Sequence, residues 1–437
     1  MKVRLVSQAS MIIETADCKI WTDPWLFGRA FMESWSLLPP ASWDNKYYDE
    51  IDFLWISHEH PDHFHLPTLK SMPQSFKERV TLLFQKNNST KMPDAFRSLG
   101  FKKLELLPHR KIVSITPRTK VHCCQIGPTP DSSLAVMCDG YTVLNLNDCE
   151  ANSADCKIFY KDLGKVNLLL NQFSVAGYRG NIDFETTLKK NALSILENMV
   201  ENHRDVHADV TIPIASFVYF SDEDNRYVNN FMNTPADVKK YFDQHGLSTA
   251  ILYPGDIYDS NVPYDSAPAL AKFQEIYSRM DQLEYRKPAL VQIDKLKDAF
   301  EKRYIQLKEK YPTWIMNYLK PLVIKIPDLN KTVSVSLRDG QFEEVNTEDF
   351  DMIISSEALH YAFAFKWGVS TIGVGAKYLI RSKKDVWRWY KIIGTLNNSE
   401  MYLKAKYLLS KNNLNFFVSR LEGGVNQLVY KWKRMKT

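Results

Sequence analysis

No run of about eighteen apolar residues occurs in this sequence, so nothing in it reads as a bilayer span. It also lacks any Cys-x-x-Cys pair. Its six cysteines (Cys18, Cys123, Cys124, Cys138, Cys149 and Cys156) fall mostly in apolar, strand-like stretches. That speaks against a disulfide framework or a structural zinc and predicts buried, reduced thiols. A dense basic tract is missing too, and the formal net charge is only +5. Nucleic acid is therefore not an indicated partner, while a partly anionic small-molecule substrate remains compatible. The opening Met1-Lys2-Val3-Arg4-Leu5-Val6 reads as a strand rather than a signal peptide. Together these absences lead us to expect a cytoplasmic protein with no membrane partner.

What is present is an ordinary globular composition, 45% hydrophobic and 24% charged, without repeats or low-complexity segments. A length of 437 residues exceeds one usual core and predicts two or three domains. From residue 1 to 264, short apolar runs alternate with turns, including Phe53-Leu54-Trp55-Ile56, Leu134-Ala135-Val136-Met137 and Val143-Leu144-Asn145-Leu146. Runs that are apolar throughout predict sheets covered on both faces, hence a layered α/β architecture. Residues from Phe184 to Asn202 read as a long helix. A charged helical connector is expected over 265–325, and a smaller C-terminal α+β domain, a cap or an oligomer surface, over 326–437. That domain ends in the basic tail Lys431-Trp432-Lys433-Arg434-Met435-Lys436.

The segment that carries chemistry is Phe53-Leu54-Trp55-Ile56-Ser57-His58-Glu59-His60-Pro61-Asp62-His63. An apolar strand runs directly into a loop that offers three imidazoles and a carboxylate within six positions, in a chain with only ten histidines. Such a cluster at the end of a rigid strand is how metal ligands are aimed.

H-x-H-x-D-H after an apolar strand resembles the signature of the metallo-β-lactamase superfamily. The resemblance implies an αββα sandwich with His58 and His60 on one metal and Asp62 and His63 on a second. Thr22-Asp23-Pro24-Trp25-Leu26 is similar to a turn of the same superfamily, with Asp23 expected to support the ligands. Asp148, at the end of Leu144-Asn145-Leu146-Asn147-Asp148, takes the place of the bridging carboxylate. In Gly127-Pro128-Thr129-Pro130-Asp131 the usual third histidine is absent, leaving Asp131, or less readily His122. Where the last histidine is usual, the chain has Phe220-Ser221-Asp222-Glu223-Asp224, so Asp222 is the expected stand-in. Gln8 sits where related enzymes often carry histidine.

His58 to Leu69, Leu144 to Glu150, Leu168 to Gly180, Pro213 to Tyr219 and the Asn233-Thr234-Pro235 turn are similar to the catalytic region of CMP-N-acetylneuraminate hydroxylases and their bacterial relatives. That family uses O₂ and a Rieske centre, whose paired Cys and His motifs this sequence lacks. Three readings stay open. The first is an iron oxygenase or oxidase acting on a polar small molecule such as a nucleotide-activated sugar, with a separate electron donor. The second is a dinuclear hydrolase of an ester, amide or phosphodiester, and the third a metal-free scaffold. Two divalent ions are expected, iron favoured and manganese or zinc compatible, because carboxylates in place of imidazoles suit the former pair. Asp148 and Asp62 are the candidate catalytic groups. Arg179 and Tyr178, in Ser174-Val175-Ala176-Gly177-Tyr178-Arg179-Gly180, and His65 are candidate substrate contacts.

Overall fold

The computed structural model describes residues 1–87, 89–126, 131–381, 383–410 and 413–414. The basic tail at 431–436 and the turn at 127–130 lie outside the described residues.

Two sheets stack face to face. In the first, seven strands lie in the spatial order Ile257–Asp259, Lys2–Leu5, Met11–Glu14, Lys19–Thr22, Phe53–Trp55, Thr81–Gln85 and Lys103–Leu107. The second has six: Val210–Ile214, Leu168–Gln172, Tyr141–Asn147, Asp131–Cys138, Thr119–Ile126 and Ile112–Ser114. Alternation along each strand divides its side chains between two layers. Trp55, Leu83 and Leu107 meet Val121, Leu134, Val136 and Leu170 in the shared core between the sheets. Leu54, Leu82 and Phe84 point the other way, to Leu69, Phe76 and Phe96 on the helices Leu66–Ser71, Gln74–Arg79 and Lys91–Ser98. The outer face of the second sheet gives Leu144, Leu146 and Leu169 to Cys156 and Phe159 on the helix Ser153–Leu163. The long helix expected from Phe184 runs to Asp205. Both faces of each sheet are thus covered, which is why these strands read as unbroken apolar runs. All six cysteines are buried and unpaired.

The expected connector is divided between two cores rather than standing alone. Ala269 and Phe273, on Ala267–Tyr277, pack into the inter-sheet core. Leu296, Phe300 and Leu307, on Ile293–Lys310, pack against a separate five-stranded sheet through Ile324, Val333 and Ile354. Among the described residues no helix is long and apolar enough to cross a membrane.

His203, near the end of the long helix, is 5% exposed, pairs with Thr211 Oγ1 at 2.8 Å and stands edge-on to Phe242. Burial, with the nearby Arg204 charge, lowers its pKa to about 4 from the ordinary 6.5. The unfolded chain therefore takes up a proton first as pH falls. Its stabilising contribution is complete above pH 6.5 and declines as pH drops toward 4. Thermal melts should show wild type losing about 2 kcal/mol more than His203→Gln between pH 7 and pH 5. Parallel pH curves for the two proteins would contradict this.

Candidate metal centre

The loop ends that bear the sequence motifs meet at one edge of the sandwich. Asp23 follows the strand Lys19–Thr22, the His58–His63 loop follows Phe53–Trp55, Asp131 opens Asp131–Cys138, and Asp148 follows Tyr141–Asn147. Gln8 sits in the turn between Lys2–Leu5 and Met11–Glu14. Short β-strands fix these points to within the precision of the sheet hydrogen bonds, so residues far apart in sequence converge.

Two groups of ligand-type atoms result, His58–His60–Asp131 and His58–His63–Asp148, each with its atoms within 4.8 Å of one another. His58 Nε2 lies 2.7 Å from His60 Nδ1, 3.7 Å from Asp148 and 4.0 Å from Asp131. His63 Nε2 lies 3.1 Å from Asp62 and 3.2 Å from Asp148. His58 is the residue common to both groups, and Asp148 lies between it and His63. Gln8 Nε2 donates to Asp62 Oδ2 at 3.0 Å and holds that carboxylate toward His63.

The electrostatics suit a cation. Burial pushes His58 below the usual imidazole range, and burial together with His58 does the same to His60. Burial also opposes protonation of His63, but the Asp148, Asp62 and Asp23 carboxylates outweigh it and raise its pKa well above normal. Burial and the Asp148 charge raise Asp131 to about 7. For Asp148 burial works in the same direction, yet His63 and His58 prevail and lower it. Gln8 Oε1, Asp62 Oδ1 and Asp148 Oδ1 are all buried without a hydrogen-bond partner. Orphaned buried polar atoms are costly, and bound cations at this spot would satisfy them. The donor set fits metal.

Behind the ligands, Asp23 gathers a set of buried donors. Asp23 accepts from Ser57 N (2.8 Å), Ser57 Oγ (2.8 Å), His63 Nδ1 (3.0 Å) and Asn147 Nδ2 (2.6 Å). Asn147 adopts φ 58° at a register shift in its strand, and Asp23 has φ 37°. Asn and Asp tolerate this left-handed region best among residues with side chains. The shift re-aims Asp148 while turning the Asn147 amide onto Asp23. The available signal was a small polar residue directly before a ligand at each strand end.

Asp222 requires a correction. It is not brought to either group: its fully buried carboxylate is held by Lys377 Nζ at 2.5 Å and Arg286 Nη1 at 2.9 Å. Both cations sit on Oδ2, and Oδ1 accepts from Asp224 N at 3.0 Å, so both oxygens are engaged. His122, the lesser alternative to Asp131, faces Asp162 at 3.5 Å instead.

The three proposed substrate contacts are also engaged elsewhere. His65 caps the helix Leu66–Ser71 by accepting from Thr68 N and stacks on Trp25 at 5.4 Å. Tyr178 is buried and donates to Asn181 O, and the exposed Arg179 lies over the Tyr390 ring. The loop that carries Tyr178 and Arg179 packs against the helix Gly368–Val374. A Cβ on Gly177 (φ 102°) would come within 2.7 Å of Val374 O, so the close approach does require glycine there.

This arrangement of sandwich edge and ligand loop can be compared with known proteins. Residues 2–122 match the beta-lactamase superfamily domain. The αββα layers seen here are those of the metallo-β-lactamase fold, consistent with a metalloenzyme. Similar curated sequences include a cytidine monophosphate-N-acetylneuraminic acid hydroxylase from Asterias rubens, 22% identical over 373 residues, covering 78% of this chain and 53% of the relative. Another, from Mycolicibacterium smegmatis, is named as a Rieske 2Fe-2S iron-sulfur protein and is 28% identical over 258 residues (54% and 48%). The chain spans about half the length of these two relatives. Solved structures that overlay on it include CmlA, a diiron beta-hydroxylase from Streptomyces venezuelae (14% identity, TM-score 0.41, 59% of this chain and 53% of that one). The isothiocyanate hydrolase from Delia radicum gut bacteria overlays with 14% identity and a TM-score of 0.45 (59% and 99%).

Proposed function

We propose that this chain is a dinuclear metalloenzyme that uses O₂ to hydroxylate or oxidise a polar small molecule, with iron as its metal and a separate electron donor. The observation that carries the reading is the donor set. His58, His60 and Asp131 form a two-imidazole, one-carboxylate group, the ligand type of non-haem iron oxygenases. The neighbouring group sets His63 beside Asp62 and Asp148, again richer in oxygen than a zinc site built mainly of histidine.

His58, His60 and Asp131 would hold one ion, and Asp62, His63 and Asp148 the other. Bound there, iron would supply the O₂ chemistry. Asp148 would bind beside His63, 3.7 Å from His58, and Gln8 would steady Asp62 through its hydrogen bond to Oδ2. A nucleotide-activated sugar is the proposed substrate class, supported by the hydroxylases among the similar sequences.

Anaerobic reconstitution with Fe(II), Mn(II) or Zn(II), followed by assays of O₂ uptake and of ester and phosphodiester hydrolysis, tests this. Iron-dependent O₂ uptake is expected. Zinc- or manganese-supported hydrolysis in the absence of O₂ would replace the oxygenase with a hydrolase acting through metal-bound water. Failure to bind any of the three metals would leave only the scaffold reading.

A further inference from the structure

One hydroxyl at the back of the site has more neighbours than it has protons. Ser57 Oγ lies 2.8 Å from Asp23 Oδ2, 2.7 Å from Asn147 Nδ2 and 2.9 Å from His58 Nδ1. Ser57 is fully buried, so water cannot rearrange this set. A hydroxyl has one hydrogen to give and two lone pairs to receive with. Asp23 Oδ2 can only accept, so the Ser57 proton must point at it; otherwise two lone-pair-bearing oxygens would face each other at 2.8 Å. The Asn147 amide can only donate, and it fills one lone pair of Ser57. What remains for His58 Nδ1 is the second lone pair, which requires a hydrogen on that nitrogen.

We propose that Ser57 is a positioning residue that sets the tautomer of His58, holding hydrogen on Nδ1 so that Nε2 presents its lone pair to the metal group. Asp23 does the same for His63 directly, accepting from Nδ1 at 3.0 Å and leaving Nε2 beside Asp62 and Asp148. One carboxylate thereby governs two imidazoles, the second through the serine. Partners behind metal-binding histidines act in this way on tautomer and ring orientation. The 2.7 Å contact between His58 Nε2 and His60 Nδ1 is consistent, since an unprotonated His58 Nε2 can accept from His60 in metal-free protein. Ser57 Oγ is also 3.4 Å from His63 Nδ1, a longer contact that leaves Asp23 as the nearer acceptor.

The inference rests on the metal reading for its purpose but not for its test. Nitrogen NMR of ¹⁵N-histidine-labelled, metal-free protein reads the tautomer directly. His58 is expected as the Nδ1–H form in wild type and in Ser57→Thr, which keeps the hydroxyl, and as a mixed or Nε2–H form in Ser57→Ala. Chelator competition should then show metal affinity reduced about 10–100-fold in Ser57→Ala and restored toward wild type in Ser57→Thr. Wild-type His58 in the Nε2–H form would overturn the assignment whether or not metal binds. So would a Ser57→Ala protein with unchanged tautomer. Loss of metal from wild type with the expected tautomer intact would instead count against the proposed function alone.

Discussion

Asp148→Ala protein is expected to emerge from metal reconstitution and dialysis against a mild chelator with neither ion retained, where wild type keeps two. Asp148 lies 3.2 Å from His63 Nε2 and 3.7 Å from Nε2 of His58, the imidazole common to both groups. Removing it deletes a ligand from the His63 position and, in addition, leaves His58 and His63 without the negative charge that offsets bringing two cations close together. Loss of supporting residues behind metal ligands costs about 10–100-fold in affinity, and loss of a ligand itself should exceed that. Asp131→Ala is the control. It removes a ligand from the His58–His60 group alone, so about half of the metal should remain. Metal quantification per protein, with melting temperature measured alongside, separates the outcomes. Equal metal content in Asp148→Ala and wild type would show that neither ion depends on this carboxylate.

The ligand loop was legible because its parts are local. A strand of three residues, then four donor groups within six positions, needs no knowledge of the rest of the fold. Asp148 was legible for a related reason: an acid that ends an unbroken apolar strand stands at a sheet edge, and sheet edges of this kind gather residues from many strands. Gln8 was noticed by position, but its role as the donor that holds Asp62 appears only once the turn after Lys2–Leu5 is placed against the loop. Ser57 and Asn147 were visible as letters and not as parts, since their function lies in hydrogen bonds to Asp23 across 34 and 124 residues of sequence. The loop at Ser174–Gly180, read as a substrate contact, is a different case. Its glycines do permit close approach, but the surface that approaches is the helix Gly368–Val374, and no local pattern distinguishes a ligand from another part of the chain.

Asp222 is the residue for which sequence and structure make opposite predictions. As a metal ligand, its removal should cost metal and little stability. As an ion-pair partner it should do the reverse. The carboxylate and the Lys377 ammonium are both fully buried, 2.5 Å apart. Arg286 adds a contact at 2.9 Å while its other nitrogen pairs with Glu357. Asn225, from the same acidic turn, donates to Gly375 O at 2.8 Å, so the turn fastens the sandwich to the C-terminal domain. In Asp222→Asn the amide occupies the same volume but leaves Lys377 charged in a dry environment, whereas Arg286 retains Glu357. Breaking a buried pair from one side destabilises by about 3–5 kcal/mol. That should appear as a large drop in melting temperature, with wild-type metal content in the folded protein at low temperature. Asp222→Asn combined with Lys377→Met removes both charges and should recover much of the loss, because the penalty lies in the orphaned ammonium rather than in the missing attraction. Wild-type stability with one ion lost would return Asp222 to the metal site. The outcome expected from the geometry is the opposite: the acid that looked like a ligand holds two domains together.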